Sequence, residues 1–319
     1  MENKISSNSM QANQKDSIIT DNLYIILSDC IEGMKKLPDE KVHLVITDPP
    51  YFIDGMDNEW SHADLADKAA KGNVIKGLPV GMKFDPQQGV DFQKFMAEIS
   101  KEIFRVLKPG GFFICFSQAR LYHRLGIAVE DAGFEIRDML GWKYEGQAKA
   151  FSQDHFVRKS NKLTEKEKEA IISKLGGRKT PQLKPQIEPM VLAQKPKCGT
   201  FIDNWMKYET GLIDTNASLD GHFPGNIMEV SKPSKKEKGD YNSHLTVKPV
   251  VLIKHLIELF SIEGQIILDP FMGSGTTAVA ASHKNRKCIG YEKDISHFKI
   301  IKQRLENNEQ NRKDIQNQK

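Results

Sequence analysis

Short apolar runs alternate along this chain with stretches whose apolar positions recur every three or four residues. The runs at 23–27, 42–47, 111–116, 136–141, 265–268 and 287–290 have the length and apolar content of buried strands. Residues 31–37, 92–107, 119–132, 250–260 and 277–283 have the spacing of helices with one buried face, and Pro109-Gly110-Gly111 ends the second of them. Strands separated by helices predict an α/β fold on a doubly wound, mostly parallel sheet.

The pattern breaks in four places. Residues 148–243 are rich in Pro, Gly, Lys and Asn and lose strong periodicity, which predicts a smaller second lobe between two parts of one α/β domain, 21–147 and 244–306. The Gly- and Asp-rich stretch 54–89 predicts a mobile loop after the 42–47 strand. Both ends, 1–20 and 307–319, are polar and read as flexible tails.

Composition narrows the function classes. The 319 residues contain no apolar run near the roughly 20 residues needed to cross a bilayer, and the polar start MENKISSNSM lacks a secretory pattern, so a cytoplasmic protein is expected. Cys30, Cys115, Cys198 and Cys288 are too dispersed for a metal knuckle or a disulfide framework, so no metal is expected. A net charge of +4 decides nothing by itself. Its distribution is more informative: residues 158–184 carry about +6, as either a solvated linker or a surface for a polyanion.

Two motifs carry chemistry. In Ile267-Leu268-Asp269-Pro270-Phe271-Met272-Gly273-Ser274-Gly275-Thr276-Thr277, a Gly-x-Gly turn joins a strand to a helix, where a ligand can approach the backbone and the helix N-terminus. Such a turn can also be a plain connection. Glu292, nineteen residues after Gly273 and at the end of the next strand, stands where doubly wound nucleotide-binding folds place an acid on ribose hydroxyls. No P-loop lysine follows the turn, which favours a nucleoside over phosphate chemistry.

The second motif, Asp48-Pro49-Pro50-Tyr51, directly follows the 42–47 strand. Two prolines fix an extended turn and hold the Asp48 carboxylate, the Pro49 carbonyl and the Tyr51 ring in set directions. An NH₂ group on a planar ring could donate to Asp48 and the Pro49 carbonyl while Tyr51 stacks on the ring. A tight surface turn is the competing reading.

With these motifs in this order, the chain resembles the β-class amino-group DNA methyltransferases. Leu27-Ser28-Asp29-Cys30 with Leu37-Pro38-Asp39, and His244-Leu245-Thr246-Val247-Lys248-Pro249, resemble further elements of that family, with Ser28 and Leu245 as departures from its pattern. The resemblance spans residues 23 to about 303. It implies a circularly permuted Rossmann-like methyltransferase fold, with the 42–47 and 265–268 strands side by side and 148–243 as the target-recognition region. S-adenosylmethionine is the implied cofactor: Asp29 at its adenine amine, Glu292 at its ribose, and the turn from Phe271 through Gly273, Ser274, Gly275 and Thr276 at its methionine end, with Asp269 also among the cofactor-binding residues. Thr246 and Lys248 are implied at its carboxylate.

The implied activity is transfer of a methyl group to adenine N6 in double-stranded DNA, on a base flipped from the duplex, with Asp48, Pro49, Pro50 and Tyr51 catalytic. Trp142 or Phe151 could cover the second face of the base. Arg158, Lys159, Arg178 and Lys179 are the expected phosphate contacts. The stretch 183–192 resembles an element that returns the chain to the sheet. Cytosine N4 is the alternative target, and RNA or protein glutamine a more distant one. A partner subunit that kept the fold without the chemistry is another reading, against which intact Asp48, Tyr51 and Glu292 argue. The resemblance also admits a cognate restriction endonuclease and a homodimer.

Overall fold

The computed structural model describes residues 16–51, 86–148, 150–181, 183–242, 244 and 246–317, with side chains to residue 310. In chain order its strands are β1 (Ser17–Ile19), β2 (Leu23–Leu27), β3 (Val42–Thr47), β4 (Leu107–Phe116), β5 (Glu135–Lys143), β6 (Ile187–Gln194), β7 (Ile227–Glu229), β8 (Ile266–Asp269) and β9 (Lys287–Glu292). Its helices are α1 (Cys30–Met34), α2 (Pro86–Val106), α3 (Tyr122–Asp131), α4 (Asp154–Arg158), α5 (Glu165–Leu175), α6 (Phe201–Tyr208), α7 (Lys235–Lys238), α8 (Val250–Phe260), α9 (Thr276–His283) and α10 (Ile295–Asn317).

The strands form one sheet in the order β1-β2-β9-β8-β3-β4-β6-β5-β7. From β2 to β4 all pairings are parallel, and every residue of β3 is buried because helices cover both faces. On one face, Leu252, Ile253 and Leu256 of α8 pack with Leu44, Ile46 and Ile114. On the other, Phe92, Met96, Ile99 and Ile103 of α2 pack with Val45 and Phe113.

The two halves of the chain interleave. Strands β8 and β9, from near the C-terminal end, lie between β2 and β3, with Leu44 opposite Ile267 and Val45 opposite Leu268. This brings the carboxyl ends of β3 and β8 together, as the resemblance implies, at the kind of crevice where doubly wound sheets bind ligands.

Several elements depart from the sequence expectations. Ser17–Ile19 pairs antiparallel with β2 where a tail is expected, and α10 continues to Asn317 through the other expected tail. A three-residue strand is too short to produce an alternating pattern. The stretch 148–243 does not form one lobe: β6 runs antiparallel between β4 and β5, and β7 extends the same sheet beside β5. Of the expected loop 54–89, residues 54–85 lie outside the described residues, while Pro86–Gly89 open α2. Among the described residues, no helix is long and apolar enough to cross a membrane.

Candidate active site

The Gly-rich turn follows from its neighbours. Gly273 and Gly275 have φ of +55° and +80°, a region that residues with a Cβ rarely adopt. The turn is tied to the end of β9, since the Gly273 N–H donates to Glu292 Oε2 at 2.8 Å and the Asp294 N–H to Oε1 at 2.8 Å. Behind it, the buried Arg304 of α10 donates through Nη1 to the Ser274 and Thr276 hydroxyls at 3.0 and 2.8 Å and to the Ser274 carbonyl at 3.1 Å. The hydroxyls expected at the cofactor are therefore already engaged from within. Nothing in the helical pattern of 295–317 singles out Arg304.

Asp269 is buried at the cavity wall, with donors on both carboxylate oxygens. Its Oδ1 accepts from the Thr47 hydroxyl at 2.7 Å and the Phe271 N–H at 3.1 Å, and its Oδ2 from the Thr277 hydroxyl at 2.6 Å. Burial pushes its carboxyl up to about 6, against the opposing hydrogen bonds from Thr277 and Thr47. Expected among the cofactor contacts, Asp269 lines the cavity and also fastens the turn to the strand that carries Asp48.

At the end of β3, the Tyr51 hydroxyl donates to Asp48 Oδ1 at 2.7 Å and lies 3.4 Å from Glu188 Oε1. Lys248 completes this cluster. Its ammonium pairs with Asp48 Oδ2, stands 3.1 Å from Glu188 Oε1 and lies 4.9 Å from the centre of the Phe116 ring. Lys248, expected at the cofactor carboxylate, lines the same cavity and pairs there with the two acids. Val247, Lys248 and Pro249 are all buried ahead of α8, which turns the side chain inward toward the acids. Burial works against its charge, but the two carboxylates outweigh it and hold the ammonium above its usual range. Glu188 has no place among the sequence candidates. Its one signal is an acid near the start of the mostly apolar run of β6, IEPMVLAQ.

A single cavity of about 700 Å³ joins both motifs. Its lining includes Asp29, Thr246, Phe271, Gly273, Ser274, Thr276, Glu292, Asp48, Pro49, Pro50 and Tyr51, drawn from opposite ends of the chain. Asp29 caps α1, accepting through Oδ1 from the Ile31 and Glu32 N–H groups at 2.9 and 3.3 Å. The Phe95 and Phe271 rings, 5.8 Å apart, add aromatic wall that the motifs alone do not reveal. Two acids, an aromatic wall and the Gly273–Ser274 edge of the turn suit the adenosine and amino-acid ends of S-adenosylmethionine, and the volume lies within the usual range for small-molecule sites.

Two other groups of candidates lie apart from this cavity. Trp142 is buried and donates Nε1–H to the Val230 carbonyl at 2.7 Å, so it belongs to the core, whereas Phe151 is 43% exposed. Arg158, Lys159, Arg178 and Lys179 are all exposed on a small unit made of α4 and α5. A bridge between Ser152 and Lys179, with mutual bonds between Phe151 and Thr180, closes its base.

The sequence profile of the DNA methylase family matches residues 42–303. The type II methyltransferase M.HindIII of Haemophilus influenzae is 33% identical over 298 residues, covering 87% of this chain and 93% of the relative. The type II methyltransferase M2.DpnII of Streptococcus pneumoniae is 25% identical, covering 89% of this chain and 90% of its own length. The fold is shared with the PvuII DNA methyltransferase (cytosine-N4-specific), with a TM-score of 0.56, 18% identity, and coverage of 86% of this chain and 83% of that one. It is shared also with the M1.HpyAVI–SAM complex, with a TM-score of 0.51, 19% identity, and coverage of 89% and 98%.

Proposed function

Because this chain belongs to the DNA methylase family, we propose that it methylates adenine N6 in double-stranded DNA, with Asp48 and the Pro49 carbonyl receiving the target amine. It is a DNA methyltransferase that uses S-adenosylmethionine. The observation that carries the residue assignment is the Thr47–Asp269 hydrogen bond, which sets the amine motif beside the cofactor turn in one cavity.

When bound, S-adenosylmethionine supplies an electrophilic methyl group. The chain's own residues do the rest. Glu292 and Asp29 offer acceptors for a nucleoside, and Gly273 and Ser274 bring the turn to the cavity wall, while Gly275 packs toward Ile301. An exocyclic amine is a weak nucleophile because its lone pair is delocalised into the ring. Hydrogen bonds to Asp48 and to the Pro49 carbonyl favour the pyramidal nitrogen and the positive charge that grows on it. Asp48 already accepts from Tyr51 and Lys248, but each carboxylate oxygen has a second lone pair to offer. Lys248 thus acts by fixing Asp48 rather than by holding the cofactor. Reaching this site requires the base to leave the helix, and the Tyr51 ring provides a face for it.

The preference for adenine rests on the resemblance, in which Asp-Pro-Pro-Tyr accompanies adenine and Ser-Pro-Pro-Tyr cytosine. Mass spectrometry of digested DNA after methylation tests it: N6-methyladenine is expected, and N4-methylcytosine alone would overturn the assignment. The type II relatives support a cytoplasmic setting and a cognate restriction endonuclease. The lobe that would hold DNA phosphates is the α4–α5 unit with Arg158, Lys159, Arg178 and Lys179.

A further inference from the structure

We propose that Glu188, acting through Tyr51, takes up the proton that the methylated base must release. The inference rests on the assignment of Asp48 to the target amine. In the transfer, the bond from the methyl carbon to sulfur breaks and a bond to the exocyclic nitrogen forms. That nitrogen, still carrying two hydrogens, becomes positively charged, and one proton must leave before a neutral methylated base can exit.

Asp48 is the nearest acceptor and a poor final one. Tyr51 donates to one of its oxygens and Lys248 pairs with the other, so both oxygens already have partners. Glu188 stands on the far side of the same two donors, 3.4 Å from the Tyr51 hydroxyl and 3.1 Å from the Lys248 ammonium. It comes from β6, the antiparallel strand between β4 and β5, so the cluster draws on three separate parts of the chain.

The charges fit this role. The ionisable groups facing Glu188 are Asp48 and Tyr51 at the end of β3, Lys248 ahead of α8, and Tyr144 just past β5. Cys115 of β4 lies behind Tyr51 and stays a thiol, raised by burial. One ammonium therefore faces two carboxylates, leaving one negative charge to balance the cation formed at the base. Burial, with Asp48 adding to it and Lys248 opposing it, raises the Glu188 carboxyl above its ordinary range, which increases its hold on a proton. The path balances without a further reagent. The base gives a proton to Asp48, the Tyr51 hydroxyl turns from Asp48 to Glu188 Oε1, 3.4 Å away, and Asp48 then passes its proton to the Tyr51 oxygen as the hydroxyl hydrogen of Tyr51 moves to Glu188. Asp48 ends ionised, Tyr51 neutral and Glu188 protonated, and solvent resets Glu188 after the product leaves.

Two measurements test this. In single-turnover methylation of unmethylated genomic DNA, the wild-type rate should rise with pH through an ionisation above the ordinary glutamate range. Glu188→Gln should lose that ionisation and slow by on the order of 10²-fold, the lower end for general-base catalysis, with the affinity for S-adenosylmethionine unchanged. Tyr51→Phe keeps the ring but breaks the path, and should lose the same ionisation with no further loss in the double variant. Independently of turnover, infrared titration of the protein alone should show a protonated carboxyl band that is absent in Glu188→Gln. A wild-type pH profile in both variants, or an unchanged band, overturns the proposal. If Asp48→Ala itself stays active, the assignment of the amine site fails; if Asp48→Ala is dead while Glu188→Gln is normal, only the role of Glu188 falls.

Discussion

The Thr47 hydroxyl donates to Asp269 Oδ1 at 2.7 Å, linking residues 222 positions apart in sequence. Thr47 immediately precedes Asp48, and Asp269 opens the Gly-rich turn, so this bond sets the distance between the amine site and the cofactor turn. Both oxygens of Asp269 have donors, which lets a fully buried carboxylate serve as a joint.

A pH signature follows from that joint. The Asp269 carboxyl is raised from 3.8 to about 6, so between these values the folded chain holds a proton that the unfolded chain releases. This group therefore favours folding fully below about 3.8, and its contribution is lost as pH rises through about 6. Asp269→Asn keeps an acceptor for Thr47 and Phe271 and offers an amide hydrogen to Thr277. Relative to the variant, wild type should lose up to about 3 kcal/mol of stability across that window. Thermal unfolding of both proteins from about pH 4 to about pH 7 measures it, and parallel curves would contradict the assignment.

Asp48→Ala should abolish methyl transfer and leave cofactor affinity nearly intact, because this carboxylate faces Tyr51 and Lys248 rather than the Gly273–Glu292 end of the cavity. Losing an acceptor that acts in the transition state predicts a rate loss of at least about 10²–10³. Single-turnover rates, with calorimetry of cofactor binding beside them, separate the two effects.

Glu292→Ala should weaken S-adenosylmethionine even without DNA. Besides removing an acceptor for the ribose, it leaves the N–H groups of Gly273 and Asp294 without their carboxylate. An unsatisfied buried donor costs about 1–3 kcal/mol, roughly a 5- to 150-fold rise in Kd. Equal affinity in wild type and variant, by calorimetry, would move the cofactor to another part of the cavity.

Lys248 separates two readings of its motif. If it pairs with the acids, Lys248→Met should slow methyl transfer with little change in cofactor affinity, and denaturant unfolding should register a loss of about 3 kcal/mol as Asp48 and Glu188 lose their counter-charge. A large fall in cofactor affinity with a normal rate would return Lys248 to the cofactor carboxylate.

The parallel core is legible in the sequence because β3, β8 and the centre of β9 are buried and mostly apolar, and the spacing at Val250–Phe260 places α8. Strands β1 and β7 are not, since three residues give no period and their partners are set by tertiary pairing. Within the site, Asp48, Tyr51, Gly273 and Glu292 stand out through fixed local spacing. Glu188 and Arg304 do not, because each matters only through residues that folding brings to it across the chain. Lys248 is a candidate from its motif, but its direction depends on the burial of Val247 and Pro249, which a motif does not encode.

The basic unit between Ser152 and Lys179 should hold DNA by its phosphates. Its two helices contribute no buried residues, so their stability comes from local features: the Thr164 capping box, Gly176 as a left-handed C-cap and the Ser152–Lys179 bridge. The side chains of Arg158, Lys159, Arg178 and Lys179 are exposed, so replacing all four with Gln removes charge without opening a core. Such a variant should bind specific and non-specific DNA more weakly, and its log–log salt dependence should flatten by roughly 0.9 for each phosphate that is no longer neutralised. Sequence preference should survive, because phosphate-binding groups set position and other side chains read base edges. Circular dichroism checks that the unit stays folded, and binding titrations at several salt concentrations give the slope. An unchanged affinity and slope would make residues 158–184 a solvated connection and shift the DNA-facing surface toward the exposed Lys232, Lys235 and Lys236, with the half-buried Lys238 beside them.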